Sequence, residues 1–130
     1  MVNAAGTFEV TSMGEDTIQE LEGGGKVTLA NGTQTFTGDI QGEGSVEWLM
    51  CYLPTGSARF LGLQRITGSL GGRSGSFVLE SIGDHDGKES NASWTVIPGS
   101  ASGELSGLIG EGRFNAPGPR ATYSLEYQLG

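Results

Sequence analysis

The chain has 130 residues, 24 glycines, 4 prolines and a formal net charge of −8. This length fits one domain spanning residues 1–130, and the glycine share is more than twice the usual value of about 7% without the proline of a collagen. The acidic balance disfavours nucleic acid and anionic membranes as partners, and no apolar run approaches the roughly 18 residues of a membrane-spanning helix.

The first two predicted elements are a strand and a loop. Residues 7–11 alternate polar and apolar side chains, which predicts a half-buried strand. Residues 14–25 are acidic and end in three glycines. We therefore predict a solvated loop there, with one short helical turn that places Ile18 and Leu21 inward.

The next segment has two readings. Residues 26–30 and 33–40 are rich in β-branched side chains, and Asn31-Gly32 lies between them. Asn-Gly between strand-like runs predicts a hairpin, because both residues tolerate positive φ. One long strand with a bulge is the alternative.

The rest of the chain repeats short β-type runs that end at proline, glycine or Asp-Gly turns. About eight strands result, without an amphipathic helix of three turns, and this pattern is typical of a β-sandwich or β-barrel. A barrel removes exposed strand edges by closing on itself. The remaining predicted strands are residues 45–53, 58–67, 75–82, 92–97, 104–109, 112–115 and 121–129.

Three segments share one order of residues: a hydroxyl side chain, glycine, any residue, an aliphatic side chain and a glycine cluster. They are residues 37–44, 67–72 and 106–112. Their unequal spacing excludes a solenoid repeat. We predict that each is a corner where a strand ends or bends, because glycine lacks the Cβ that clashes there.

The segments GTFEV (6–10), TGDIQGEG (37–44) and FLGLQRITG (60–68), together with residues 71–79, 94–100 and 103–108, resemble a bacterial family of unknown function. The resemblance covers nearly the whole chain. It implies an all-β fold, a small eight-stranded antiparallel up-and-down barrel of the allene-oxide-cyclase-like or calycin-like type. Such barrels include plant oxylipin cyclases and bacterial enzymes that close rings in polyketide pathways. The family commonly carries an acidic residue at the position of Gln64, and this chain departs from it there.

The residues that several kinds of catalytic or metal site require are missing from the sequence. His85 is the only histidine, Cys51 the only cysteine, and no Gly-x-Ser-x-Gly occurs, so serine triads, zinc sites and disulfides are not expected. Residues 84–89 are better explained as a turn than as a calcium loop, and no glycine-rich nucleotide motif occurs. We therefore expect no metal and no cofactor. Residues 1–12 lack a signal-peptide pattern, which predicts a cytoplasmic protein.

The barrel interior is the remaining place for a site, because an eight-stranded barrel is either filled or holds one small ligand. Polar residues that share a strand face with aromatic residues are the candidates. Glu80 and Tyr52 are the predicted catalytic residues, with the solvent face as the alternative position for Glu80. The predicted substrate-binding residues are Trp48, Gln64, Phe60, Trp94, Tyr123 and Tyr127, with plain core packing as the alternative for the aromatic ones.

These observations favour a cofactor-independent cyclase or isomerase. It would act on a small, largely apolar metabolite, such as a polyketide or an oxylipin-like intermediate, held in the barrel. The alternative is a non-catalytic barrel that binds a small molecule, and a third reading is a filled barrel with a structural role. Packing of outer faces would give a homodimer, but the sequence does not indicate which face.

Overall fold

The computed structural model describes residues 1–129 and is built of antiparallel strands. The strands are β1 (Val2–Glu20), β2 (Lys26–Gly38), β3 (Ile40–Tyr52), β4 (Ala58–Leu70), β5 (Arg73–His85), β6 (Ser90–Val96), β7 (Ser102–Gly103), β8 (Ile109–Ala116) and β9 (Arg120–Gln128). The barrel strands follow the order β4-β3-β2-β1-β9-β8-β6-β5, and β4 pairs with β5 to close the ring. Eight strands therefore form a closed up-and-down barrel, which confirms the predicted all-β, eight-stranded antiparallel barrel. None of residues 1–129 lies in a helix long and apolar enough to cross a membrane.

The up-and-down order places the connections alternately at two ends of the barrel. Residues 21–25, 53–57, 86–89 and 117–119 form the turns at one end, which we call the mouth. The other end, which we call the closed end, carries the β2–β3 and β4–β5 turns. It also carries the longer segment 97–108, which contains the two-residue strand β7 paired with β5.

Strand β1 is much longer than predicted, and the acidic loop prediction is wrong. Residues 12–20 continue the strand and pair with residues 26–33 of β2. Ile18 and Leu21 are exposed instead of facing inward. Pairing with β2 overrides the local acidic composition, because strand formation depends on cross-strand neighbours more than on intrinsic preference.

The Asn31-Gly32 hairpin is also wrong, and the alternative of one long strand is right. Both residues lie inside β2 and pair with β1 on one side and β3 on the other. A Cβ at Gly32 would lie 2.2 Å from the carbonyl oxygen of Ser12, so glycine here permits close approach of β1. The bulge occurs in β1, where the register shifts between Val10 and Ser12.

The predicted strand at residues 104–109 is wrong: residues 104–107 form turns, and Ile109 is already the first residue of β8. Leu105 and Leu108 are fully buried, and the Leu108 N–H donates to the Leu105 carbonyl (3.0 Å). The Glu104 N–H donates to the Ser74 carbonyl (2.8 Å), which ties the segment to β5. The apolar residues of this segment therefore fill the closed end instead of extending the sheet.

The core follows the period-two alternation of strands, with one face of each strand inward. Phe8 lies at its centre, with ring centroids 5.0 Å from Phe36, 5.1 Å from Phe114 and 6.0 Å from Trp94. These interlocked aromatic rings pack the middle of the barrel.

Each of the three predicted corners contains a glycine at positive φ: 98° at Gly38, which ends β2, 59° at Gly71 and 86° at Gly107.

Candidate functional site

A cavity of about 240 Å³ opens at the mouth, above the packed middle of the barrel. Its position follows from the inward alternation of β3, which directs Trp48, Met50 and Tyr52 to the interior. The apolar lining consists mainly of aromatic rings and thioethers, surfaces that suit an apolar ligand. Besides Tyr52, these side chains are Phe8, Trp48, Phe60, Phe114, Met13 and Met50.

Two pairs of polar side chains line the same cavity. The Tyr52 hydroxyl donates to Glu15 Oε2 (2.7 Å), and the same oxygen accepts a bond from the Thr28 hydroxyl (2.6 Å). His85 Nδ1 and the Ser90 hydroxyl lie 2.8 Å apart. Burial, with the neighbouring Glu15 carboxylate second, raises the pKa of Tyr52 to about 12. The Tyr52 hydroxyl is therefore protonated throughout the neutral range.

A bulge in β1 brings Glu15 to the rim of this cavity, where the residue stays exposed. Before the bulge, the inward-facing residues of β1 are Phe8 and Val10. After the bulge, Met13 and Glu15 face inward instead. They pair with Gly32 and Ala30 of β2, which also face inward. One extra residue changes which face of a strand its later side chains occupy. The sequence predicts Glu15 in a solvated loop, and even an unbulged strand would have continued with even-numbered residues inward and left Glu15 outside.

Beneath the cavity, three buried side chains form a hydrogen-bonded chain. The Trp94 indole N–H donates to Gln64 Oε1 (2.8 Å), and Gln64 Nε2 donates to Gln34 Oε1 (2.9 Å). Because an indole nitrogen can only donate, it determines the orientation of both amides. Gln34 Nε2 then has no hydrogen-bond partner within residues 1–129. Gln64 and Trp94 are thus engaged with each other and do not line the cavity.

Tyr123 and Tyr127 lie away from the mouth. The Tyr123 hydroxyl donates to the Thr37 carbonyl (2.8 Å) and accepts from the Ile40 N–H (2.9 Å), which connects β9 to the β2–β3 turn. Burial raises the pKa of Tyr123, although the Ile40 N–H opposes this shift. Tyr127 is buried beside Gly71, where a Cβ would lie 2.6 Å from the Tyr127 hydroxyl oxygen. Both tyrosines pack the closed end.

Comparison with known proteins identifies the family to which this barrel belongs. The family described as "Protein of unknown function (DUF3224)" matches residues 4–127. The chain belongs to the DUF3224 family. It is also similar to a crystal structure of a protein with unknown function from this family from Shewanella oneidensis MR-1, at 26% identity and a TM-score of 0.86, over 100% of this chain and 98% of that one. No curated protein matches the chain.

In this DUF3224 protein the predicted site residues separate into four places. Trp48, Tyr52 and Phe60 line the mouth cavity, as the barrel-interior prediction expects. Gln64 and Trp94 lie in the buried chain beneath it, and the two tyrosines lie at the closed end. Glu80 is exposed on the outer face of β5, opposite the exposed Leu63. Its outward position removes it from the interior, so it cannot act on a molecule in the cavity.

The DUF3224 barrel also carries a wider groove of about 930 Å³ on its outer face. Most of its lining side chains are polar and belong to β5, β6, β8 and β9, among them Asn91, Arg113 and Asn115. Asn115 Nδ2 donates to Asn91 Oδ1 (2.8 Å) and to Glu89 Oε2 (3.2 Å), so the polar groups of this groove are partly engaged with one another. The mouth cavity is smaller, but it has the apolar walls and few polar groups that small-molecule sites share.

The sequence predicts a turn at His85, but this residue ends β5, and its side chain lines the cavity together with Ser90. The alternation of side chains along β5 could have predicted this inward position, because His85 lies an even number of residues from Leu79 and Ser81, which are buried. Among residues 1–129, no three His, Cys, Asp or Glu side chains come together as a metal site.

Proposed function

We propose that this DUF3224 protein binds one small, largely apolar molecule in the mouth cavity. The observation that carries the proposal is the open space of about 240 Å³, lined by aromatic rings and thioethers, in a barrel whose middle is packed. An engineered apolar cavity of about 150 Å³ takes up benzene, so a ligand of one or two rings suits this size. The matched Shewanella protein is itself described as having unknown function, and the proposal rests on the cavity.

The test uses a cavity-filling substitution. Ala116 is half-buried and lines the cavity, so Ala116→Leu adds three carbons to the space a ligand would occupy. We expect wild type to bind propylbenzene in ligand-observed NMR and Ala116→Leu to lose that binding while unfolding at the same or a higher temperature.

Ala5→Leu is the matched control, because Ala5 is exposed on β1 and does not line the cavity. It adds the same volume and should leave binding unchanged. The proposal fails if small aromatic probes do not bind wild type, or if Ala116→Leu binds them equally well.

A second candidate is cofactor-independent isomerisation or ring closure of the bound molecule. The observation that favours it is the hydrogen-bonded pair of Tyr52 and Glu15 at the cavity. A carboxylate can take a proton from one atom of a substrate and return it to another, and a rigid cavity can hold the substrate in a reactive conformer. We expect Tyr52→Phe to lower turnover of a candidate substrate while propylbenzene still binds. Equal turnover in the variant would remove Tyr52 from the mechanism.

A further inference from the structure

One part of the polar rim of the mouth cavity, formed by Glu15 and Tyr52, presents hydrogen-bond acceptors to a ligand, while His85 and Ser90 form the other polar pair of the lining. Glu15 Oε2 accepts from both Tyr52 and Thr28, and Glu15 Oε1 accepts from no other residue in the described chain. Because the Tyr52 proton is donated to Glu15, its hydroxyl oxygen offers only lone pairs to the cavity. A ligand that reaches this part of the rim must therefore donate hydrogen bonds.

The rim also carries a negative charge that no basic side chain neutralises. The two ion pairs within residues 1–129 are Arg59–Asp84 and Arg65–Glu47, and neither involves Glu15. No lysine or arginine lines the cavity. The Lys26 ammonium lies 5.5 Å from the centroid of the Tyr52 ring, outside the cavity lining. With a net charge of −8 on the whole chain, the field at the mouth attracts cations and repels anions.

The cavity walls suit the same kind of ligand. The rings of Trp48, Phe60 and Phe114 lie close together, with centroids 5.5 Å apart for the first two and 6.5 Å for Trp48 and Phe114. Aromatic faces attract ammonium groups through their quadrupole and also pack against an apolar ring. We propose, on the basis of the binding function above, that the cavity takes a small aromatic or alkyl amine, bound as the ammonium ion with an N–H directed at Glu15.

The experiment compares three probes of similar size: 2-phenylethylamine, propylbenzene and 3-phenylpropionate. They differ in carrying a positive charge, no charge and a negative charge at neutral pH. We expect the ammonium probe to bind the full-length protein about tenfold more tightly than propylbenzene, as one partly screened charge pair allows, and the carboxylate more weakly than either. Titration calorimetry measures the three affinities, and the preference for the amine should shrink as salt is added.

Glu15→Gln isolates the charge, because its amide oxygen can still accept from Tyr52 and Thr28. We expect the variant to lose the preference for the amine over propylbenzene while its propylbenzene affinity is unchanged. Asp16→Asn is the matched control. Asp16 follows Glu15 in the chain and pairs with the outward-facing Leu29. The substitution therefore removes the same charge from the chain without altering the cavity. It should keep the preference.

The outcomes separate the two proposals. If none of the three probes binds, the binding function itself is overturned. If propylbenzene binds but the amine binds no more tightly, or if Glu15→Gln keeps the preference, the binding function stands and the assignment of an amine is overturned. A loss of preference in Asp16→Asn equal to that in Glu15→Gln would show that the overall charge is responsible, and would also overturn the role of Glu15.

Discussion

The two ends of the barrel are built from the same strands but are completed in different ways. The closed end receives Leu105 and Leu108 from the 12-residue segment 97–108, and both are fully buried. At the mouth the strands are joined by turns of three to five residues, and a cavity of about 240 Å³ remains. The interior of an eight-stranded barrel is just wide enough either to be filled by side chains or to hold one small ligand. Here the length of one connection determines which end is packed.

The largest effect is expected from removing a side chain that fills the closed end. Leu108→Ala should destabilise the protein by about 2–5 kcal/mol, because a fully buried leucine leaves a cavity behind. Denaturant unfolding measures the loss, and binding of propylbenzene at the mouth should not change.

Leu53→Ala is the matched change at the mouth, where Leu53 is 51% exposed. It should cost less than about 0.5 kcal/mol, as exposed substitutions usually do. Similar losses in the two variants would contradict the distinction between a packed end and an open one.

The buried chain between the two ends should respond unequally at its two glutamines. Gln64→Met leaves the Trp94 indole N–H and Gln34 Oε1 without partners, so we expect a loss of about 2–4 kcal/mol. Gln34→Met leaves Gln64 Nε2 unpartnered but also removes the unpartnered Gln34 Nε2, and should cost about 1 kcal/mol or less. Urea unfolding of the two isosteric variants tests this, and a larger loss for Gln34→Met would refute the amide orientations.

At the mouth, Tyr52 should make stability depend on pH in the alkaline range. Its folded pKa of about 12 lies above the ordinary value of 10.0, so its contribution is complete below pH 10 and is lost as pH rises towards 12. Tyr52→Phe should cost about 1 kcal/mol at neutral pH and decline less steeply above pH 10. Unfolding free energies measured across this range test the difference, and parallel curves would contradict it.

The smallest effect is expected on the barrel wall, away from both ends. Arg65 and Glu47 form a two-pronged ion pair on the outer face, and the Arg65 guanidinium lowers the pKa of the Glu47 carboxyl. The pair contributes above the ordinary carboxyl pKa of 4.5, and its contribution is lost as pH falls below that value. Glu47→Gln should cost at most about 1 kcal/mol by thermal unfolding. A loss as large as that of Leu108→Ala would mean that the wall matters as much as the filled end.

The sequence predicts the barrel well because alternation and turn residues are local signals. It also predicts Trp48, Tyr52 and Phe60 as inward, since each shares a strand face with other apolar residues. Glu15 could not be found in this way, because a bulge changes which residues of β1 face inward and depends on pairing with β2. Glu80 was predicted on the wrong face of its strand. Alternation divides the residues of β5 between two faces, but composition alone does not show which of these faces is outside.

The second half of β1 has a strand edge that could pair with another molecule. Residues 11–20 pair with β2 along one edge only, since within the described chain β9 pairs no further than Glu9. Such an edge can recruit a strand from another molecule, and acidic side chains and bulges are the usual protection. The edge carries Glu15, Asp16 and Glu20 together with two register shifts. We therefore expect the carboxylate that would select a ligand also to oppose edge-to-edge pairing of two molecules, and its loss to favour aggregation.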